Sequence, residues 1–470
     1  MSNKHHTHKK HFHYHKIYRK KRNIQSLRVI APLMITVLFV LALSLATSTS
    51  EKRGLLQPLN EVHNAAPATT PTIASSTTSV IETLEPAPIT PSTDLTSLSL
   101  FVTVRDGSRT ATGMIAVKDH PEWIHTEKGM WSEKTSIDPQ AVEQTIASNG
   151  IAGIPLVQNS EILSIETDKN KVLRPVTSRL AKAGFSLNAT EVATAITNAL
   201  LKNESTLTIN APYVQPIVTM TAEDGTVKTL RLLTTGYSDF AGSAPGRTHN
   251  VYKAIEERIK SILVKKGDTF SLIPALDAPI TVAKGWEEDL GLFGGGAALT
   301  PGAGICQSAT TLYRAALLAG LPIVERRNHS LDVDHYEPYG RGLDATVFPF
   351  DIAGKNTAVN LRFKNDTPDD LYIQSHIEGN TVLVQLFGTD DGRKSLLEGP
   401  YFSISKNRPK GEIRALSNRE IGWVQTITRA DGTSTKKPII STYAKPIWHS
   451  QMLKYVDAKG MELMVPEQYK

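Results

Sequence analysis

The residues around the only cysteine of this 470-residue chain restrict its fold most, because they prescribe a helix that begins at a thiol. Gly302-Ala303-Gly304 leads into Cys306, and Gly320 followed by Pro322 ends the pattern that comes after it. One face of the predicted helix carries Ile305, Ala309, Leu312, Ala316 and Ala319. Backbone N–H groups and the helix dipole lower the pKa of a thiol at a helix N-terminus. The segment therefore predicts a reactive cysteine.

The N-terminus predicts on which side of a membrane this thiol lies. Residues 1–28 carry nine Lys and Arg residues and no acid, and residues 29–48 are mainly apolar. The apolar run is about long enough to cross a bilayer as a helix. Basic residues before it predict a cytoplasmic N-terminus and an extracytoplasmic body, in a single-pass protein of the cell membrane. A cleaved signal peptide, with Ser44-Leu45-Ala46 near its cleavage site, is the alternative, and it also leaves the body extracytoplasmic.

The chain's formal charge of +6 comes from this tail. Without the nine basic residues, 43 basic residues face 46 acidic ones, so the remainder carries about −3. A body with that balance does not predict nucleic-acid binding. The tail also holds six histidines, but their irregular spacing favours a solvated basic segment near anionic lipid over a metal site.

Composition divides the rest of the chain into four parts. Residues 49–95 are rich in Ser, Thr, Pro and Ala and predict a flexible linker. Residues 96–235 predict an α+β binding or spacing module, with a strand from Leu98 to Val104 and helices that start after Asp138 and Asn188. Residues 236–390 carry the cysteine. Residues 391–470 predict a small C-terminal β-rich appendage with no visible site.

Within residues 236–390, hydrophobic periodicity predicts an α+β fold in which the cysteine helix packs on an antiparallel sheet. We expect an amphipathic helix over Val251–Val264 and a glycine-rich loop from Gly285 to Gly304. That loop lacks the Gly-Lys-Ser/Thr ending of a phosphate-binding loop. The expected strands are Thr269–Ile273, Leu321–Arg327, Leu343–Phe348 and three further ones around Leu361, Ile373 and Val384, the last two joined by a turn at Glu378-Gly379-Asn380.

A lone extracytoplasmic cysteine makes no intrachain disulfide, so it pairs with another chain, is a free reactive thiol, or is an inert buried one. A nucleophilic thiol needs a base and a group that orients the base. His329, after one predicted strand, and Asp344, in the next, supply these roles in the helix–strand–strand order of transglutaminase-like and papain-like thiol enzymes. Taken singly, each has a structural explanation: a packed thiol, a surface histidine, a turn-capping aspartate. His335 is a rival base.

Two further residues are candidates for the same site. Arg247 and His249 are candidates for lining the same cleft, although a structural salt bridge explains Arg247 equally well. One cysteine and scattered histidines do not give the spacing of zinc ligands, so no metal site and no cofactor are predicted.

The sequence resembles the VanW domain family from about Tyr237 to Phe387. The resemblance rests on residues 302–313, on Val-Glu-Arg-Arg-Asn-His-Ser at 324–330, on Leu-Asp-Ala-Thr-Val at 343–347, and on the segments 238–250 and 266–271. Ala303 stands where the family usually has glycine, and Ser308-Ala309-Thr310 where it has Val-Ser-Thr. More weakly, residues 96–235 resemble the peptidoglycan-binding-like module that often precedes VanW domains.

The resemblance implies an L,D-transpeptidase-like cysteine acyltransferase in which Cys306 forms a thioester with a peptidoglycan stem peptide. The alternatives are a cysteine peptidase or amidase of the cell wall and a non-catalytic wall-binding scaffold. Peptidoglycan is the expected partner, and the sequence carries no signal for an oligomeric state. We expect catalysis from Cys306, His329 and Asp344, and substrate binding from Arg247, His249, Gly302, Gly304, Gln307, Arg326 and Ser330.

Overall fold

The computed structural model describes residues 94–107, 109–130, 133–293, 296–349, 358–445, 447, 454–456 and 462–464. The predicted tail (1–28), the predicted anchor (29–48) and nearly all of the predicted linker (49–95) lie outside the described residues. Within the described part, no helix is both long and apolar enough to span a membrane.

The first part of the described chain is an α+β unit. Its strands are β1 (Ser99–Asp106), β2 (Arg109–Ala116), β3 (Ile124–Lys128), β4 (Glu133–Ile137), β5 (Ser160–Thr167), β6 (Leu173–Thr177), β7 (Gly184–Phe185), β8 (Thr206–Asn210), β9 (Tyr213–Val214), β10 (Ile217–Thr221) and β11 (Val227–Asp239). Helices α1 (Pro139–Asn149) and α2 (Ala189–Leu201) pack together, and the sheet order β2-β1-β8 completes the unit.

Local sequence explains this unit well. The side chains of Asp138 and Asn188 accept hydrogen bonds from backbone N–H groups at the starts of α1 and α2, which confirms both predicted helix starts. The predicted strand at Leu98–Val104 is confirmed as β1, whose alternate residues Leu100, Val102 and Val104 are fully buried.

The second part contains the cysteine. Its helices are α3 (Pro245–Tyr252), which continues into a π-helical turn (Lys253–Arg258), the short α4 (Leu272–Ala275) and α5 (Cys306–Leu318). Its strands are β12 (Ser261–Val264), β13 (Thr269–Ser271), β14 (Glu288–Phe293), β15 (Gly296–Pro301), β16 (Ile323–Glu325), β17 (Arg362–Lys364), β18 (Leu371–Glu378) and β19 (Thr381–Gly388). The last part adds β20 (Lys394–Tyr401), β21 (Glu420–Thr428), β22 (Ser434–Thr442), β23 (Lys454–Val456) and β24 (Glu462–Met464) in the order β22-β21-β20-β23-β24. Short 3-10 turns lie at Leu95–Ser97, Val117–Asp119, Pro121–Trp123, Val282–Lys284 and Asp334–Tyr339.

Seven strands close into a barrel in the order β10-β11-β19-β18-β12-β6-β5. The parallel pairing of β10 with β5 closes it, with Val218 opposite Ser160. Strands from the predicted module and from the predicted cysteine domain therefore share one barrel. The predicted boundary between residues 235 and 236 falls inside β11 and does not separate two sheets.

Helix α5 packs on the antiparallel strands β11 and β19, and this helix-on-sheet arrangement confirms the predicted α+β class. The approach is close because Gly236 has no side chain: a Cβ there would lie 2.2 Å from the Thr311 carbonyl oxygen. All residues of α5 from Gln307 to Leu317 are buried, since the C-terminal strand β20 also packs against the helix. The likeness to transglutaminase-like and papain-like enzymes stays a prediction.

Three secondary-structure predictions differ from the structure. The helix predicted over Val251–Val264 ends at Arg258, and its last four residues form β12 instead. Three consecutive residues of β12, Ile262 to Val264, are buried, a pattern that suits a strand buried on both faces as well as a helix. Pairing with β18 decides between them, because it satisfies the backbone of residues 261–264. The glycine-rich loop contains the paired strands β14 and β15, and residues 294 and 295 between them lie outside the described residues.

The third difference concerns Asp344. Residues 343–347 form no regular strand, because side chains take the place of ladder partners. The Thr310 hydroxyl bonds both to the Ala345 N–H and to its carbonyl, and the Leu343 and Asp344 carbonyls accept from arginines of α5 and of the segment after β16. The predicted alternation survives, since Leu343, Ala345 and Val347 all enter the main core.

Candidate active site

The thiol lies at the first residue of α5, as predicted, and its side chain is partly exposed. The Cys306 Sγ atom is 3.1 Å from the Thr346 hydroxyl and 3.5 Å from the Val347 carbonyl oxygen, and the His329 ring lies close enough to lower the pKa of the thiol. The helix start and the extended segment 343–347 thus hold the sulfur between them.

His329 and Asp344 form a buried pair beside this sulfur. His329 is 6% exposed and Asp344 3%. The Asp344 Oδ2 atom accepts from the backbone N–H of His329 at 2.7 Å and lies 2.6 Å from its Nδ1. Because Nδ1 is engaged by the carboxylate, Nε2 is the ring nitrogen left for the thiol. The structure therefore brings together Cys306, His329 and Asp344.

Interactions among these three groups shift the pKa of each toward its charged form. Burial alone would raise the pKa of the Cys306 thiol, but the hydrogen bond and positive charge of His329 bring it below the ordinary value. Burial lowers the pKa of His329, but its hydrogen bonds to Asp344 and Cys306 raise it to about 9. Burial likewise raises the pKa of Asp344, whereas His329 and Arg326 lower it to about 2. The arrangement favours a thiolate–imidazolium pair at neutral pH.

Two tyrosines and two arginines flank the site: Tyr336, Tyr443, Arg314 and Arg326. Of these four, the sequence pointed only to Arg326. Tyr336 stacks on the His329 ring at a centroid distance of 5.1 Å. Arg314 of α5 is buried and donates to backbone carbonyls of Tyr237, Tyr336, Gly340 and Leu343. A charged residue in an otherwise apolar helical pattern was the available signal for Arg314. The Tyr443 hydroxyl donates to Asp344 Oδ1 at 2.8 Å. No local pattern in the sequence predicts this contact.

Arg326 was expected to bind substrate, but it lies beside Asp344 and is largely buried. Its Nη2 atom is 3.5 Å from Asp344 Oδ1, and its Nε donates to the Asp344 carbonyl. Its guanidinium also lies over the Tyr313 ring, 4.9 Å from the ring centroid. With a thiolate and an imidazolium present, Arg326 balances the remaining negative charge of Asp344.

The other expected substrate-binding residues occupy different surroundings. Gln307 is fully buried: its Oε1 accepts from Arg247, and its Nε2 donates to the Ser238 hydroxyl and the Asp239 carbonyl. His249 is exposed and bonds to the Gly285 carbonyl at 2.9 Å. Ser330 is exposed next to His329. The His335 side chain, the rival base, lies outside the described residues.

Gly302 and Gly304 both have positive φ, at 77° and 106°. A Cβ at Gly302 would meet the Ile280 side chain at 2.4 Å, and one at Gly304 would meet Arg247 Cγ at 2.8 Å. Both glycines thus make room for the protein's own side chains. Ala303 adopts an ordinary negative φ and is buried near Gly291 of β14.

The first turn of α5 offers fewer oxyanion donors than a free helix end. The Gln307 N–H donates to the Gly304 carbonyl, and the Ser308 N–H to that of Ile305. No backbone carbonyl of the described residues accepts from the Cys306 N–H. That group is the donor next to the sulfur that could bind a developing oxyanion.

Comparison with known proteins finds a family model that covers this site. The family model described as "VanW like protein" matches residues 246–387. An uncharacterized protein of Bacillus subtilis (strain 168), YoaR, is 29% identical over 154 residues, which are 32% of this chain and 46% of that protein. The match thus spans less than half the length of that relative.

A solved structure titled "Structure of the Ldtfm-avibactam carbamoyl enzyme" is 10% identical, over 44% of this chain and 71% of that one, with a TM-score of 0.16. This score is too low to establish a shared fold. The matched range covers the segments around the thiol, the histidine and the aspartate. Residues 246–387, which include Cys306, His329 and Asp344, are therefore similar to the VanW-like family.

Proposed function

We propose that this chain is a membrane-anchored, extracytoplasmic cysteine acyltransferase that cross-links peptidoglycan stem peptides through a thioester on Cys306. The observation that carries the proposal is the contact of a partly exposed thiol with a buried His329–Asp344 pair. A merely packed cysteine needs neither a cationic partner nor access to solvent. The arrangement suits acyl transfer.

In the first half-reaction, the Cys306 thiolate attacks a stem-peptide carbonyl carbon and forms a C–S bond. The oxygen carries the negative charge of the tetrahedral intermediate and accepts from the Cys306 N–H. When the C–N bond breaks, the His329 imidazolium gives its Nε2 proton to the departing amine of the terminal D-alanine. A thioester and a neutral imidazole remain.

In the second half-reaction, an amine of a neighbouring stem attacks the thioester carbonyl. His329 Nε2 takes a proton from this amine, the C–S bond breaks, and the thiolate and imidazolium return. Asp344 stays ionised throughout, because its low pKa keeps it a hydrogen-bond acceptor for His329 Nδ1. Water in place of the amine would give hydrolysis and the same return of the enzyme.

Peptidoglycan as the substrate rests on the family resemblance and on the predicted topology. A basic tail, an apolar anchor and a linker rich in Ser, Thr, Pro and Ala would hold the thiol outside the membrane, where peptidoglycan lies. The VanW-like domain match covers the three catalytic positions.

The test is to incubate the full-length chain with tetrapeptide-stem muropeptides and to identify the products by mass spectrometry. We expect cross-linked dimers and free D-alanine from the wild type, and neither from Cys306→Ala or His329→Ala. Arg429→Ala, which changes an exposed arginine beyond the VanW-like domain, is the control and should retain activity. Shortened monomers without dimers would identify a hydrolase. No product, together with an unreactive thiol, would favour the scaffold.

A further inference from the structure

Both oxygens of the Asp344 carboxylate are occupied, and they face different parts of the chain. Oδ2 receives the two N–H groups of His329, at 2.6 and 2.7 Å. Oδ1 receives the Tyr443 hydroxyl at 2.8 Å, with Arg326 Nη2 at 3.5 Å. The donors on Oδ1 fix the plane of the carboxylate, and that plane aims Oδ2 at the imidazole.

Tyr443 comes from outside the VanW-like domain. It follows β22 directly and lies 99 residues after Asp344 in the sequence. Its ring is 3% exposed and belongs to the core that includes α5. Its backbone N–H donates to the Arg419 carbonyl at 2.9 Å, so the C-terminal sheet sets its position.

The neighbours of Tyr443 attach the same segment to the chain around His329. The Ala444 N–H donates to the Ser330 carbonyl at 2.7 Å. The Asn328 side chain donates to the Thr442 carbonyl at 2.8 Å. The backbone on both sides of Tyr443 is therefore bonded to the residues on both sides of the histidine. These bonds hold the Tyr443 backbone in the position from which its hydroxyl contacts Asp344.

We propose that Tyr443 is a positioning residue of the active site, which orients the Asp344 carboxylate so that His329 is held in the tautomer and direction that the Cys306 thiol requires. The inference rests on the proposed function and assigns the C-terminal sheet a part in it. Burial and the charge of Asp344 raise the pKa of Tyr443 well above its ordinary value, so the phenol keeps its proton and remains a donor.

The experiment measures the thiol directly, without a substrate. Because the chain has one cysteine, alkylation by iodoacetamide followed by intact-mass spectrometry reports on Cys306 alone. The rate is measured between pH 4 and pH 10 for the full-length wild type, Tyr443→Phe and Tyr401→Phe. Tyr401, a half-buried tyrosine of β20, is the matched control from the same sheet.

We expect Tyr443→Phe to raise the apparent thiol pKa by about one unit, which is about tenfold in rate below that pKa. The phenylalanine ring keeps the packing, so the thermal unfolding midpoint should stay close to that of the wild type, and Tyr401→Phe should match the wild type in both. A wild-type pH profile in Tyr443→Phe, with or without a lower midpoint, would make the tyrosine merely structural and overturn the inference. An ordinary thiol pKa in the wild type itself would overturn the proposed function, and this inference with it.

Discussion

Replacing Asp344 by asparagine isolates the charge that supports the imidazolium. The substitution keeps the shape of the side chain, but its neutral amide offers one acceptor oxygen where the carboxylate offers two to His329, Tyr443 and Arg326. The pKa of His329 rises from 6.5 to about 9 in the folded chain, and the bond to Asp344 is the largest cause that raises it. That rise corresponds to about 3 kcal/mol in favour of the imidazolium.

Without the carboxylate, burial pulls the pKa of His329 back toward its ordinary value or below it, so much of the ring is neutral at pH 7. The thiol then loses its cationic partner, and its pKa rises from the lowered value of the wild type to the ordinary value or above it. The alkylation rate at pH 7 therefore falls, by about tenfold for each unit by which the thiol pKa rises above 7.

The assay is the pH dependence of iodoacetamide alkylation of the full-length chain, with Asp370→Asn as the control. Asp370 is also buried and accepts from Lys265 and from the Lys266 N–H, but it contacts none of the three site residues among those described. Asp370→Asn should leave the thiol profile unchanged. A wild-type profile in Asp344→Asn would refute the reasoning, because the imidazolium would then not depend on this carboxylate.

The low pKa of Asp344 and the close packing at Gly236 each give a further prediction. The folded pKa of Asp344 is lowered to about 2 from 3.8, so its ionisation stabilises the fold above about pH 4, and this contribution is lost as the pH falls through 2. In chemical denaturation, the difference in unfolding free energy between wild type and Asp344→Asn should therefore shrink by about 2 kcal/mol from pH 5 to pH 2; a constant difference would contradict the low pKa. Gly236→Ala should lower the unfolding free energy by about 1–3 kcal/mol, because its Cβ collides with the backbone of α5. Gly411→Ala, where a Cβ meets nothing within 4 Å, should be nearly neutral, and equal effects of the two would refute the close packing.

Local signals in the sequence sufficed for the elements that carry their own caps and periodicity. The starts of α1, α2 and α5 and the turn at Gly379 follow from residues within one helical turn or one hairpin. Residues 261–264 did not, because their strand is decided by pairing with β18, more than 100 residues later in the chain. Tertiary pairing overrides local pattern at such places.

The site shows the same division. Chain order brought Cys306, His329 and Asp344 forward as partners, although the strand predicted around Asp344 does not form. Arg326 was expected to bind substrate, because the sequence does not show whether an arginine faces a substrate or pairs with a buried carboxylate of the protein itself. Tyr443 gave no signal, because its role depends on how the C-terminal sheet folds back onto the segment after His329.

The shared barrel makes the two parts of the chain depend on each other for strand pairing. A chain cut at residue 235 would lose β5, β6, β10 and most of β11, and would leave β12 and much of β19 as open edges prone to pairing with other chains. In the intact protein, no hinge separates the strands on the two sides of that residue. The barrel strands β5, β6 and β10 are therefore part of the same closed sheet as β11 and β19, on which the helix that begins at Cys306 packs.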